Sequence, residues 1–433
     1  MKLTRRTMLG GTAASALATL TAPNFAWADS HGGMASIHTH INTLIAQYAG
    51  TAGDMPNASV KALYDRDGFR DYLEIYPTGE LVDGFVWEPG MGAEFEGPYS
   101  KLAIKAPFTD YIPLAEGEVL NPDKTYRIGF VFHGFNHPWL VSLADTVAWE
   151  AARHPNIELE VIDAEFDDNR MGQVIDTWIT KQFDGILLWP SREAPMGPPV
   201  DRAIQAGIPV VSLDRRTSSS SISSEVLGNF YANGLQQGLY LKEVATGGNM
   251  VLNRKDLGST ADSIRTGAFL EVIGHEAGFE VAGNYHTNSQ RSMAFDATAD
   301  ALQASDSFDI SFNTGGEEAL GALGAIQEAD RMESGDSGKI IILANDDAKE
   351  ILAKIKAGEI DMVAPYTPLI GDIGLRALVG HIGAVEGMNE APPKLILTPN
   401  LPMVTREKMT IEGIETLTPD EWPYAYGPVV SEA

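Results

Sequence analysis

The stretch IGFVFHGFNHPWLVSL, residues 128–143, contains a strand, a turn and the start of a helix. A strand is predicted at Arg127 to Phe132, whose residues from Ile128 onward are apolar without alternation, as in a strand covered on both faces. Polar groups then interrupt the run between His133 and His137. From Trp139 to Arg153, the residues Leu140, Leu143, Ala144, Val147 and Ala151 recur at helical spacing, which places one helix face on a sheet.

The same alternation continues down the chain. Further strands are predicted at Ile157 to Ile162, Gly185 to Trp189, Ile208 to Leu213, Asn249 to Leu252, Phe308 to Phe312, Ile340 to Leu343 and Met362 to Ala364, with amphipathic stretches between them. This is the pattern of βα units feeding parallel sheets. Two smaller sheets fit better than one large one, because Leu213 to Asn229 contains the run Ser218 to Ser221, which has little capacity to form a core. That segment reads as a linker between two lobes, the alternative being an exposed loop within one of them.

Residues 29–125 break the pattern. Punctuation at Pro77 to Gly79, Pro89-Gly90 and Gly97-Pro98 is interleaved with aromatics such as Tyr64, Phe69, Trp87 and Tyr99. Short helices followed by a hairpin around Pro77 to Gly79 are expected there. Whether this segment is a separate small domain or an extension across the lobes is open. Ahead of it, Thr4 to Leu9 (TRRTML) is a twin-arginine signature, followed by a mild apolar stretch and the small-residue site Ala26-Trp27-Ala28. Residues 1–28 therefore read as an export signal, and the periplasm as the destination.

The formal net charge of −28 becomes more negative once Lys2, Arg5 and Arg6 leave with the signal, a surface that repels nucleic acid. There are 0 cysteines, which excludes disulfides and thiolate chemistry. The sequence has no Gly-x-Ser-x-Gly elbow and no His-Glu-x-x-His. Gly315-Gly316 opens a helix without the spacing of a dinucleotide fingerprint. A calcium-loop reading of Asp65, Asp67 and Glu74 fails because Leu63 stands where the first carboxylate is needed. The histidines His31, His38 and His40 lie beside the processed terminus and read as a tail, with metal binding as the alternative. No cofactor and no catalytic residue are expected, and the chain reads as a monomer that is not an enzyme.

In parallel α/β sheets ligands sit beyond the carboxyl ends of the strands. This rule selects His133, His137 and Trp139, then Trp189, then Asp214 and Arg215. Planar hydrogen-bonding groups beside aromatic rings suit a sugar, whose rim carries hydroxyls and whose faces carry C–H groups.

Residues 128–143 resemble the opening strand and helix of the ribose-binding-like periplasmic receptors (type I, substrate-binding proteins of ABC transporters). IPVVSLDR, residues 208–215, is similar to the family's fourth strand with its ligand-binding Asp-Arg. The likeness runs on through GSTADSIRTGAF (258–269) and ALGAL (319–323), and covers about residues 126–400. It implies two Rossmann-like lobes with parallel sheets joined by a three-segment hinge: a first lobe at 126–228 and 365–399, a second at 229–364, and a C-terminal tail at 400–433. It also implies crossovers near 228, 364 and 399, and places His133, His137, Trp139, Asp214 and Arg215 in the cleft with Arg265 and Asn345 from the second lobe and Tyr366 at a hinge. The implied function is capture of a small sugar or polyol for an inner-membrane ABC permease. A sensor feeding a kinase or chemoreceptor, and an exported enzyme, are the alternatives. Gly315-Gly316-Glu317 and Asn345-Asp346-Asp347 depart from the family's usual Asn-Asp and Asp at those places, which puts a standard pyranose pocket in question.

Overall fold

The computed structural model describes residues 72–75, 104–107, 116–134, 138–228, 230–274, 276–304, 308–332, 339–366, 368, 370–392, 394–397, 402–411, 414–422 and 425–426. The signal at 1–28, the histidines His31, His38 and His40, the turn at 77–79, His137 and the crossover near 399 lie outside the described residues.

Two short strands, β1 (Tyr72–Ile75) and β2 (Ile104–Pro107), precede the regular part. The first lobe then winds through β3 (Tyr126–Phe132), α1 (Pro138–Ala152), β4 (Ile157–Asp163), α2 (Asp168–Thr180), β5 (Gly185–Trp189), α3 (Gly197–Gln205), β6 (Val210–Leu213) and β7 (Ser224–Leu227). The second takes α4 (Phe230–Val244), β8 (Gly248–Arg254), α5 (Thr260–Ile273), β9 (Phe279–His286), α6 (Arg291–Ala304), β10 (Ile310–Asn313), α7 (Gly316–Glu328), β11 (Ile341–Asn345), α8 (Lys349–Ala357) and β12 (Met362–Ala364). The chain returns for α9 (Gly371–Val385) and β13 (Leu395–Leu397), then crosses again to β14 (Val404–Thr405), which is followed by the small pair β15 (Thr410–Ile411) and β16 (Ile414–Glu415).

The first sheet has the order β2-β1-β13-β7-β6-β5-β3-β4 and the second the order β14-β12-β11-β10-β8-β9. From β13 to β4 and from β12 to β9 every pairing is parallel. In the first sheet β3 is the strand from which the order runs both ways, and in the second it is β8. Their carboxyl ends are the two places where a crevice opens between flanking connections.

Local chemistry explains the elements. Asp167 caps α2, its side chain accepting from the backbone N–H of Asn169 and Arg170. Gly358 ends α8 in the left-handed conformation (φ 76°), with Lys354 and Lys356 in the last turn. Trp178 of α2 is fully buried against β3, where only a glycine fits: a Cβ on Gly129 would meet the indole at 2.5 Å. Arg376 of α9 donates twice to Glu150 of α1, at 2.9 Å each, in a buried pair that fastens the returning helix to the first lobe.

Three expectations change. The run Ser218 to Ser221 is a loop between two neighbouring strands of the first sheet, because Ser224 to Leu227 form β7 beside β6; the crossing to the second lobe follows it, at Gly228. The serines are held within the lobe, with Ser219 Oγ donating to Asp201 at 2.5 Å. Residues 400–433 are expected to be a tail, yet β14 pairs antiparallel with β12 and the Trp422 ring is buried in the second core. Finally, β1 pairs antiparallel with both β2 and β13, so residues 72–75 and 104–107 extend the first sheet, and the strand partner of β1 lies far beyond Pro77 to Gly79.

Candidate functional site

The facing ends of the two lobes meet at the hinge. Tyr366, two residues past β12, stacks on Trp139 of α1 with ring centroids 5.3 Å apart and planes 10° from parallel. Its hydroxyl donates to Asp214 Oδ1 at 2.6 Å, and the indole of Trp189 donates to Asp214 Oδ2 at 3.0 Å. Asp214 directly follows β6 in the left-handed region (φ 63°), which turns its carboxylate toward these two donors. Burial and the neighbouring Asp214 carboxylate push the Tyr366 hydroxyl well above the usual phenol range, so it remains a donor. Trp139 adds a bond from its indole N–H to the Tyr366 carbonyl at 3.0 Å. His133 lies edge-on to Trp189, centroids 4.5 Å apart, and also meets the ring of Phe166.

Arg215 donates from Nη1 to the Ser191 carbonyl at 2.7 Å, while its Nε is buried 3.5 Å from Asp214 Oδ2 without a hydrogen bond among the described residues. Arg265 of α5 is almost fully buried. It donates to the Thr314 carbonyl (2.6 Å), to Asn233 Oδ1 (3.3 Å) and to Asp346 Oδ1 (3.0 Å), with its guanidinium 4.8 Å from the centre of the Tyr366 ring. Asn345 sits deeper, its Nδ2 donating to Gln237 Oε1 at 2.7 Å and to the Asn313 carbonyl at 3.2 Å. Behind Tyr366, the fully buried Asp347 accepts from the Trp422 indole and the Tyr366 N–H; desolvation pushes its carboxyl up to about 7.

The structure therefore brings Trp139, Trp189, Asp214, Arg265 and Tyr366 into one continuous set of contacts, with His133 and Arg215 at its first-lobe side and Asn345 beneath the second. Two residues beside that set, Lys255 and Asp346, are not among the site residues the sequence selects, although Asp346 is part of the departure at Asn345-Asp346-Asp347. Each follows a strand that runs two residues farther than its apolar stretch: β8 ends at Arg254 and β11 at Asn345. Asp346 takes the left-handed conformation (φ 69°) and reaches Arg265.

The lobes touch directly. Thr260 Oγ1 donates to Glu193 Oε1 at 2.5 Å and accepts from the Arg216 N–H at 3.0 Å, while the Glu193 N–H reaches the Gly258 carbonyl at 3.3 Å. A groove of about 800 Å³ is lined by Phe166 of the first lobe and by Arg291, Phe295, Glu317 and Leu320 of the second.

Two parallel α/β lobes, crossed three times by the chain and facing each other through polar and aromatic strand ends, define a type I cleft receptor. The profile of the periplasmic binding protein domain matches residues 128–384, and the chain belongs to that family. The ribose import binding protein of Bacillus subtilis is 24% identical over 277 residues, 63% of this chain and 87% of the relative. A putative rhizopine-binding protein of Rhizobium meliloti is 27% identical over 258 residues, 57% and 81% of the two chains. Among solved structures, the arabinose-transporter binding protein of Shewanella sp. ANA-3, bound to L-arabinofuranose, aligns with a TM-score of 0.59 at 22% identity, covering 65% of this chain and 92% of its own. A Bacillus halodurans solute-binding protein with bound myo-inositol gives 0.59 at 21%, covering 66% and 96%. Among the described residues no helix is long and apolar enough to cross a membrane.

Proposed function

We propose that this protein captures a small neutral sugar or cyclic polyol between its lobes in the periplasm and presents the closed form to an ABC permease. The observation that carries the reading is the convergence of Trp139, Trp189, Asp214 and Tyr366 at the hinge, in a chain whose relatives include a ribose import protein. Aromatic faces and committed carboxylate and guanidinium groups in a water-poor cleft are suited to holding a hydroxylated ring in one orientation. No bond is made or broken; the work is binding and closure. In this reading His133 and Arg215 face the ligand from the first lobe, and Arg265 and Asn345 support the opposite wall. The twin-arginine signal accounts for export.

A sensor output is the second reading, favoured by one neighbour: the fructose-binding periplasmic domain of a hybrid two-component system aligns with a TM-score of 0.59 at 21% identity. Thermal unfolding of the mature protein against D-ribose, L-arabinose, D-allose, D-fructose and myo-inositol tests the capture step shared by both. A ligand that binds only the native state raises the midpoint with the logarithm of its excess over Kd. A rise of several degrees with one stereochemical class is expected; flat midpoints across the panel at millimolar sugar would overturn the carbohydrate reading.

A further inference from the structure

Lys255 stands directly beyond β8, the strand from which the second sheet runs both ways, and its side chain is nearly buried. Its ammonium lies 3.5 Å from Asp346 Oδ2 and 3.6 Å from Glu318 Oε2. These are ion-pair separations, longer than the charge-assisted hydrogen bonds such groups form when they meet directly. Among the described residues Lys255 Nζ makes no hydrogen bond. Both carboxylate oxygens of Glu318, in the first turn of α7, are buried without one as well. Donor and acceptor are thus held side by side, uncommitted, next to the Arg265–Asp346 pair that touches Tyr366.

Gly315 makes room for them. Its φ of −159° is extended backbone open to any residue, so the glycine is not there for conformation. A Cβ at 315 would meet Lys255 Nζ and Glu318 Oε2, each at 2.3 Å. The space that a side chain at the end of β10 would occupy is filled instead by a lysine reaching across from the end of β8.

We propose that Lys255 is the second lobe's specificity-determining contact, donating to an oxygen of the ligand, and that Glu318 is the positioning residue that holds its ammonium from behind. This rests on the carbohydrate reading and narrows it. Ammonium offers donors only, so the ligand must present an acceptor at this point. The charges facing it balance, Lys255 and Arg265 against Glu318 and Asp346; Asp256 and Arg215 pair at 3.9 Å across the cleft. A neutral hydroxyl or ring oxygen fits this environment better than a carboxylate, which would face two acids, or an amine, which would face Lys255.

Calorimetric titration of the mature protein with its tightest neutral sugar from the panel, and with the uronic acid of that sugar, tests this. Lys255→Met is expected to weaken the neutral sugar at least tenfold. Gly315→Ala, which keeps every charge and displaces the ammonium, should weaken it in the same direction and covers the case in which Lys255→Met does not fold. Glu318→Gln should weaken binding in the native background and add nothing in the Lys255→Met background, a non-additivity that a purely structural role for Glu318 would not produce. Wild-type affinity in both Lys255→Met and Gly315→Ala would overturn the proposal. A preference for the uronate that Lys255→Met abolishes would overturn the neutral-oxygen assignment. No binding of any sugar by the unaltered protein would remove the carbohydrate reading, and this contact with it.

Discussion

Asp214 and Asp347 are both buried carboxylates beside Tyr366, and they are handled differently. Asp214 accepts from the Trp189 indole and the Tyr366 hydroxyl, with the Arg215 guanidinium 3.5 Å away. Asp347 receives the Trp422 indole and one backbone N–H but faces Asp346, and burial dominates, raising it to about 7. Because its carboxyl is ordinary in the unfolded chain, at about 3.9, the native state holds the extra proton between these values. Asp347 therefore contributes stability that is full below about pH 4 and is lost as the pH rises through about 7. Asp347→Asn should flatten that part of the profile: the unfolding midpoint of the variant should fall less than that of the native protein between pH 5 and pH 8. Parallel profiles would show that Asp347 is ionised throughout. At this scale the sequence was legible where a polar residue ends an apolar strand, as at His133 and Asp214. It was opaque where a strand continues through polar residues. Arg254 and Asn345 still belong to strands, which hid Lys255 and Asp346.

The same limit governs the elements. The strands β3, β5 and β12 are recognisable within a residue of their ends, since burial on both faces leaves their central residues apolar. β7 was not, because Ser224 and Glu225 look like surface residues; Glu225 is buried as the acceptor of Arg216 at 2.8 Å, and Ser224 lies 2.6 Å from His381 Nε2. Missing β7 turned a loop between neighbours into an interlobe linker. β9 escaped for the opposite reason, as an edge strand with largely exposed residues and no apolar signature. The true crossing is tighter. Gly228 donates its N–H to the Tyr366 hydroxyl at 3.2 Å, tying two of the hinge segments together, and a Cβ there would fall 1.7 Å from the Tyr366 ring. Gly228→Ala must displace that ring from Asp214. An overpacking cost of about 1–3 kcal/mol should lower the unfolding midpoint by several degrees, and sugar affinity should fall with it. An unchanged midpoint and affinity would mean that the hinge can take up a methyl group without disturbing the cleft.

Over the whole molecule, residues distant in sequence become one device because the chain crosses between two sheets. α9 returns to lock onto α1 through Arg376 and Glu150, and β14 goes back to close the edge of the second sheet. The contacts from Glu193 and Arg216 to Thr260 hold the lobes face to face, so a ligand between them would be sealed by the same bonds that report closure. The parallel α/β layers were readable from the repeat of strands and helices, while their division into two lobes was drawn at a serine run that proves to be a loop and the three crossings came from the resemblance. The incorporation of residues 404–426 into the second lobe left no periodic trace, since two-residue strands and scattered buried side chains such as Val404, Ile411 and Trp422 carry no repeat. The central claim is that a carbohydrate binds between the lobes through the hinge cluster. Isothermal titration of the mature protein and its Asp214→Ala variant with the sugar that most raises the unfolding midpoint tests it most directly. The account predicts saturable one-to-one binding to the native protein and a loss of at least tenfold in the variant, with the variant still folded. Equal affinity in the two proteins would place the sugar somewhere other than this cleft.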